Sequence, residues 1–180
     1  MALEIICQEL LEEKYREGVW KLLKDADQEF IPPLSSREKT TQKSLAPKDG
    51  DAGDSRGPVK YFEQMLKQAF ILAIKDGEVK GFMTYIPDHE LFLKDQTIPC
   101  NYISTIIVEP KSRRQGITRR MYGTLFQISQ GKSIATRTWS TNKEHLVLLH
   151  ELEFQLAACL TDDRGPGIDT VYYVKENGQA

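Results

Sequence analysis

The residues whose types and order most suggest chemistry lie in one run, Ile106-Ile107-Val108-Glu109-Pro110-Lys111-Ser112-Arg113-Arg114-Gln115-Gly116-Ile117-Thr118-Arg119-Arg120. An apolar strand ends at Val108, a short polar loop follows, and a helix opens near Gly116. The first turn of a helix carries N–H groups without backbone partners and a partial positive charge, so it attracts anions. Glycine lets that backbone come close to a phosphate. Arg113, Arg114, Arg119 and Arg120 add positive charge, and together these features describe a pyrophosphate cradle. The same run also reads as a plain turn before a solvated basic helix face. Neither G-x-G-x-x-G nor G-x-x-x-x-G-K-[ST] is present.

Residues able to move a proton are fewer. Strand alternation puts Tyr102 and Ser104 on one face of the strand before the cradle. Either is a proton relay or an ordinary strand residue. His145 stands three residues after Asn142 and four before Leu149, so the three share a helix face. An imidazole with an ordinary pKa of about 6.5 suits proton exchange, although His145 also reads as a partly exposed helix residue. His150 points about 100° away from Leu149. The three cysteines, Cys7, Cys100 and Cys159, sit in apolar strand-like contexts and read as small buried hydrophobes. Their odd number and wide spacing argue against a disulfide framework and a zinc site, so no metal and a reducing, cytoplasmic setting are expected.

The elements that must position these residues follow from periodicity. The 180 residues suit a single domain. A hydrophobic share of 40% and a charged share of 28% describe an ordinary globular chain. A net charge of -2 and a pI near 6.0 disfavour nucleic acid as the main partner. No apolar run is long enough for a membrane helix, and no signal peptide is expected. Strands are expected at 3–7, 70–75, 79–86, 100–108, 133–138, 154–160 and 170–174. Helices are expected at 13–27, from residue 58, at 116–130 with Ile117, Met121, Leu125 and Ile128 inward, and at 142–152. The second helix should bury Val59, Phe62, Leu66 and Ala69. Asp76-Gly77-Glu78 marks a hairpin. Residues 32–58 read as a long loop, mobile or functional. The order β-α-α-β-β-β-α-β-α-β-β predicts a mixed α+β sheet.

The run Val108-x-Pro110-x-x-Arg113-x-x-Gly116-x-Thr118 resembles the acetyl-coenzyme A motif of the GNAT N-acetyltransferase superfamily, written [QR]-x-x-G-x-[GA]. Residues 76–82 look like the family's second hairpin. The helix from Asn142 to Leu152-Glu153-Phe154 is similar to its asparagine helix, and residues 169–175 look like its last strand. The likeness covers most of the chain from Phe70 onward. It implies a mostly antiparallel twisted sheet flanked by helices, with a splayed strand pair at the acetyl-CoA site. The backbone of Ile106, Ile107 and Val108 would pair with the pantetheine amides. The amides of Arg114, Gln115, Gly116, Ile117, Thr118 and Arg119 would wrap the pyrophosphate. Asn142 would hydrogen-bond the pantetheine arm, where the residue type alone also allows a simple helix N-cap. Three departures stand out. Thr118 occupies a Gly/Ala position, Glu153 a Gly position, and Leu149 the position of a thiolate-protonating Tyr. Tyr102 stands where the histone-acetylating branch has a Glu base.

The resemblance implies transfer of an acetyl group from acetyl-CoA to a primary amine of a small molecule or protein. Tyr102 and His145 are the candidate proton carriers, and the 32–58 loop, whose charges are mixed in sign, lies on the acceptor side. The alternative is a CoA-binding sensor or interaction module with reduced catalysis. A nucleic-acid contact through the basic cluster around Lys111 to Arg120 is disfavoured by the overall acidity and the lack of interleaved aromatics. Either a monomer or a homodimer is compatible with the sequence.

Overall fold

The computed structural model describes residues 1–47 and 53–178; the tip of the expected 32–58 loop lies outside them. The strands are β1 (Glu4–Gln8), β2 (Ala69–Lys75), β3 (Glu78–Leu93), β4 (Gln96–Val108), β5 (Ser133–Trp139), β6 (Gln155–Leu160) and β7 (Thr170–Lys175). The helices are α1 (Glu13–Asp25), α2 (Val59–Met65), α3 (Ile117–Ile128) and α4 (Lys143–Glu151). The element order is the expected one. The strands form a single sheet in the order β1-β2-β3-β4-β5-β7-β6, antiparallel at every neighbour except β4–β5. That parallel step requires a crossover, and α3 supplies it.

Side-chain alternation gives the sheet two apolar faces. Phe70, Leu72, Phe82 and Ile107 face α1 and α2, packing on Val19, Leu23, Tyr61 and Met65. Ile71, Met83, Ile103 and Val108 face α3 and α4, packing on Ile117, Met121, Leu125 and Leu149. The expected face of α3 holds for its first three residues, but Ile128 is 48% exposed where the helix runs past the sheet. Tyr122, which the pattern left out, is buried instead. In α2 the fully buried residues are Tyr61 and Met65; Val59, Phe62 and Leu66 flank them, and Ala69 already belongs to β2. Cys100 is buried, but Cys7 and Cys159 are exposed on the two outermost strands, so they are not the buried hydrophobes expected.

The β3–β4 hairpin is longer than expected, running out to Leu93 and Gln96. Pro87 and Pro99 mask its outer half in the sequence, since proline removes a ladder donor. Both are tolerated for local reasons. Pro87 sits in an irregularity between Ile86 and His89, and Pro99 lies beyond Cys100, where β4 pairs with β3 alone.

The central pairing depends on a close approach at Gly81, where a Cβ would stand 3.0 Å from the Ile107 carbonyl oxygen and 3.2 Å from the Val108 side chain. Gly81→Val should push β3 off β4 and destabilise the fold by about 1–3 kcal/mol, read as a lower Tm. An unchanged Tm would show that the strands yield without cost.

Candidate active site

The β4–β5 ladder runs from Cys100↔Ser133 to Ile103↔Thr136 and stops, although β4 continues to Val108 and β5 to Trp139. The break coincides with a bulge. On β3, adjacent Thr84 and Tyr85 face Thr105 and Ile103, leaving Ser104 as the extra residue. A bulge bends its strand and re-aims side chains. Here Ser104 and Thr105 both turn toward α2. Ser104 Oγ donates to Gln68 Oε1 at 2.5 Å and lies 2.7 Å from Thr84 Oγ1. The Tyr61 hydroxyl donates to the Ser104 carbonyl at 3.1 Å and lies 2.7 Å from Thr105 Oγ1. Beyond this point β4 is held by β3 on one side only, and its other edge opens into a cleft of about 660 Å³. That volume suits a small-molecule site.

The start of α3 closes one end of the cleft. Arg114 at φ 61° and Gly116 at φ 75° turn the chain sharply into the helix. No side chain caps this end, and the N–H groups of Ile117, Thr118 and Arg119 have no partner among the described residues. Less free charge stands here than the sequence suggests. Arg113 donates Nε to the Val108 carbonyl at 2.9 Å and forks onto Glu29 at 2.8 and 3.0 Å. Arg119 is paired with Glu151, and Arg120 reaches away to the Leu3 carbonyl. Arg114 lies 3.9 Å from Glu144 with both side chains in solvent, a contact of little energetic weight.

Of the residues expected at the site, Ile106, Ile107, Val108, Arg114, Gly116, Ile117, Thr118, Arg119, Asn142 and His145 all line this one cleft. Gln115 does not; its amide donates to the Lys111 carbonyl on the outer surface. Tyr102 does not either. It is 2% exposed, packed among Leu91, Leu93, Cys100 and Tyr172, and burial pushes its phenol pKa far above the ordinary value. A relay role for Tyr102 is thereby corrected. Asn142 does not cap α4: its Nδ2 donates to Thr138 Oγ1 at 3.0 Å, leaving Oδ1 without a partner among the described residues. Leu148 lines the cleft, whereas Leu149 is fully buried in the core.

His145 reaches the cleft from α4, and its Nε2 lies 2.8 Å from the Tyr122 hydroxyl. Tyr122 is fully buried, and burial holds its phenol protonated by pushing the pKa far up. With no other acceptor among the described residues, its O–H donates to Nε2. The imidazole proton then sits on Nδ1, so His145 offers a donor rather than a free basic nitrogen. Burial pushes its pKa down to about 4.

Sequence reasoning overlooked Glu29, Phe30, Arg137 and Trp139, which also line the cleft. One signal was available: Arg137 is the lone charge in an otherwise apolar and hydroxylated strand.

Residues 37–154 match the Acetyltransferase (GNAT) family. The chain belongs to this family. No curated protein sequence matches it. Among solved structures, aminoglycoside 6'-acetyltransferase type Ii shares 18% identity at a TM-score of 0.66, covering 96% of this chain and 97% of that one. An N-acetyltransferase from Staphylococcus aureus Mu50 shares 16% identity at 0.64, covering 98% and 99%. The yncA protein of Salmonella typhimurium, solved with its cofactor acetyl-CoA, shares 15% identity at 0.62, covering 98% and 95%. At these identities the likeness is one of fold.

Because the folded chain holds His145 neutral while the unfolded chain protonates it near the ordinary pKa, the native state loses stability as pH falls from about 6.5 toward 4. Wild type should therefore lose Tm relative to His145→Gln across that window and run parallel to it above pH 7. Parallel curves throughout would show that His145 titrates normally.

Proposed function

We propose that the chain is a single catalytic domain that transfers the acetyl group of acetyl-CoA to an amine of a small molecule or protein. The observation that carries this reading is the opening of a bulged, half-paired strand and an uncapped, glycine-turned helix start onto one cleft. Membership of the GNAT family supports acetyl-CoA as the co-substrate.

The cleft's donors and acceptors fit such a molecule. The edge of β4 that β5 leaves free, along 106–108, offers backbone groups to the pantetheine arm, with the Val108 carbonyl already accepting from Arg113 Nε. The Asn142 Oδ1 and the His145 Nδ1–H add an acceptor and a donor on the facing wall. The amides of Ile117, Thr118 and Arg119 and the positive end of α3 suit the pyrophosphate. Bound there, acetyl-CoA supplies an acetyl thioester. The chain's own contribution is chiefly to hold the amine and the carbonyl in line, which is worth up to about 7–11 kcal/mol in favourable intramolecular cases. Among the described residues that line the cleft, Glu29 is tied to Arg113, Glu144 stands in solvent 3.9 Å from Arg114, and the His145 lone pair is taken by Tyr122. The amine accordingly reaches its reactive form by losing a proton to water. The same shortage of proton carriers favours a second reading, a CoA-binding module with little turnover.

Calorimetric titration with acetyl-CoA, followed by thioester cleavage against a panel of amines, separates the two readings. Binding with turnover is expected. Binding without turnover on any amine would favour the module, and no binding would remove both. Asn142→Ala should weaken acetyl-CoA binding by about fivefold to tenfold, the worth of one hydrogen bond. Gly116→Val, forced toward positive φ, should weaken it further while the β-sheet signal in circular dichroism is kept. kcat/KM for the amine should rise with pH toward the acceptor's own pKa. A limb near pH 6–7 would instead point to a histidine base.

A further inference from the structure

A second cleft, of about 1090 Å³, lies under the 32–47 segment, and Arg37 and Arg164 line it. These two side chains are 6% and 4% exposed. Buried guanidinium groups normally face carboxylates, since an unpaired charge out of water costs several kcal/mol. Among the described residues neither has a carboxylate within ion-pair distance. Arg37 donates Nε and Nη2 to the Pro32 carbonyl, at 3.2 and 2.8 Å. Arg164 donates Nε to Thr170 Oγ1 at 2.9 Å and Nη1 to the Ile31 carbonyl at 2.8 Å. The two nearest acids, Asp27 and Asp163, form no ion pair with them, and their charges offset only part of the burial of Arg37 and Arg164; Asp27 accepts from Ser35 and Gln28, and Asp163 accepts from Thr170.

A third guanidinium joins them. Arg137 follows Thr136, the last residue β5 pairs with β4, so it stands where the two strands part. Its Nη1 donates to the Gln42 carbonyl at 2.7 Å and its Nη2 to the Thr40 carbonyl at 3.4 Å, and it too has no carboxylate partner among the described residues. An aromatic pair links the arginines to the first cleft. Phe30 and Trp139, with centroids 5.7 Å apart, line the β4–β5 opening. Arg37 lies over Phe30 at 5.8 Å and Arg164 over Trp139 at 5.5 Å. Cation–π contact offsets part of the burial cost but does not neutralise the charge. Burial first, then the charges of Arg37 and Arg137, pull the Arg164 pKa down to about 9, and burial pulls Arg37 down to about 10. The surroundings reinforce the sign. The lining carboxylates Glu38 and Asp54 are taken by Lys60 and Arg56, while Lys39 and Lys43 have no acidic partner among the described residues.

We propose that Arg37, Arg137 and Arg164 form an anion subsite that holds a carboxylate or phosphate borne by the acetyl acceptor, so that the acceptor is an acidic amine. The inference rests on the acetyl-transfer reading for the word acceptor, and for the word anion on a guanidinium cluster with no ion-paired carboxylate among the described residues. Three donors converging beside the strand fork would clamp an oxyanion by charge-assisted hydrogen bonds. They would leave the amine end of the molecule free to enter the opening.

The test has two parts. Wild type, Arg164→Gln and Arg37→Gln are titrated calorimetrically, without acetyl-CoA, with glutarate, inorganic phosphate and uncharged glutaramide. Saturable binding of glutarate or phosphate is expected, weakened at least tenfold in each folded variant, with none for glutaramide; which anion binds separates a carboxylate from a phosphate acceptor. Should a variant fail to fold, the wild-type Tm decides: the anion must raise it more than chloride of equal ionic strength does. No anion binding by wild type, or equal binding by folded variants, overturns the proposal. The second part compares kcat/KM for amines bearing a carboxylate or phosphate with their amide or neutral counterparts, where a preference of at least tenfold is expected. Turnover with no preference overturns the subsite and leaves acetyl transfer standing. Anion binding with no turnover on any amine overturns the acceptor assignment and the acetyl-transfer reading together.

Discussion

The single extra residue at Ser104 governs much of this molecule. A strand in the middle of a sheet normally spends its backbone groups on both neighbours. β4 does so only as far as Ile103, because the bulge bends it away from β5 while β3 keeps hold of its other edge. Unpaired N–H and C=O groups are costly when buried and cheap when they face solvent or a ligand. The fork is therefore stable only as the wall of an open cleft. The bulge also fixes what stands at the apex. Ser104 and Thr105 are both drawn to the α2 side, where Gln68, Thr84 and Tyr61 satisfy their hydroxyls and the freed Ser104 carbonyl.

Chain direction ties the second half of the cleft to the first. Because β4 and β5 run parallel, the chain must leave β4 at Val108, cross over through α3 and return, which sets the N-terminus of α3 beside the free edge of β4. Gly116 makes that turn with a positive φ and no side chain in the way, and the helix starts uncapped. The arginines around it are then largely neutralised by Glu29 and Glu151. The attraction for an anion at this end thus rests on oriented amides more than on side-chain charge. On the opposite flank of the fork the balance reverses, with guanidinium groups that the fold brings together without an ion-paired carboxylate among the described residues.

The helical and strand patterns carried the element order, the α3 start and most of the residues that line the β4–β5 cleft, since those signals are local: a period of 3.6 or 2, a glycine after an apolar strand, an asparagine before a helix. What escaped was non-local. Nothing in the residue types around Ser104 announces an extra residue in a ladder, because a bulge is defined by its partner strand. Pro87 and Pro99 hid the outer hairpin, the first being tolerable at the β3 irregularity and the second where β4 lacks its second neighbour. Arg37, Arg137 and Arg164 lie up to 127 residues apart in the chain, and each taken singly is an unremarkable basic residue. The mixed composition of the 32–58 loop concealed how its charges are placed: Glu38 stands by Lys60 and Asp54 by Arg56, while Arg37 has no ion-paired carboxylate among the described residues. Tyr102 and Leu149 failed for a related reason: alternation says which face a residue takes, not whether that face meets a cleft or a core.

The fate of the proton carriers follows from the same packing. Leu149 is fully buried beside Tyr122 and Phe154, so the position where the family often places a thiolate-protonating Tyr is here part of the apolar core. The polar group that α4 does present is one turn earlier, at His145, and Tyr122 engages its basic nitrogen. An imidazole held neutral with its lone pair occupied is a fixed hydrogen-bond donor, useful for orienting a carbonyl or an amide and poorly suited to taking a proton from an ammonium group. Under the proposed acetyl transfer, the protein's part is placement, through a strand edge, a helix end and the inferred guanidinium clamp. Proton removal from an amine acceptor would then be left to solvent, a division under which the acceptor's own basicity sets the pace.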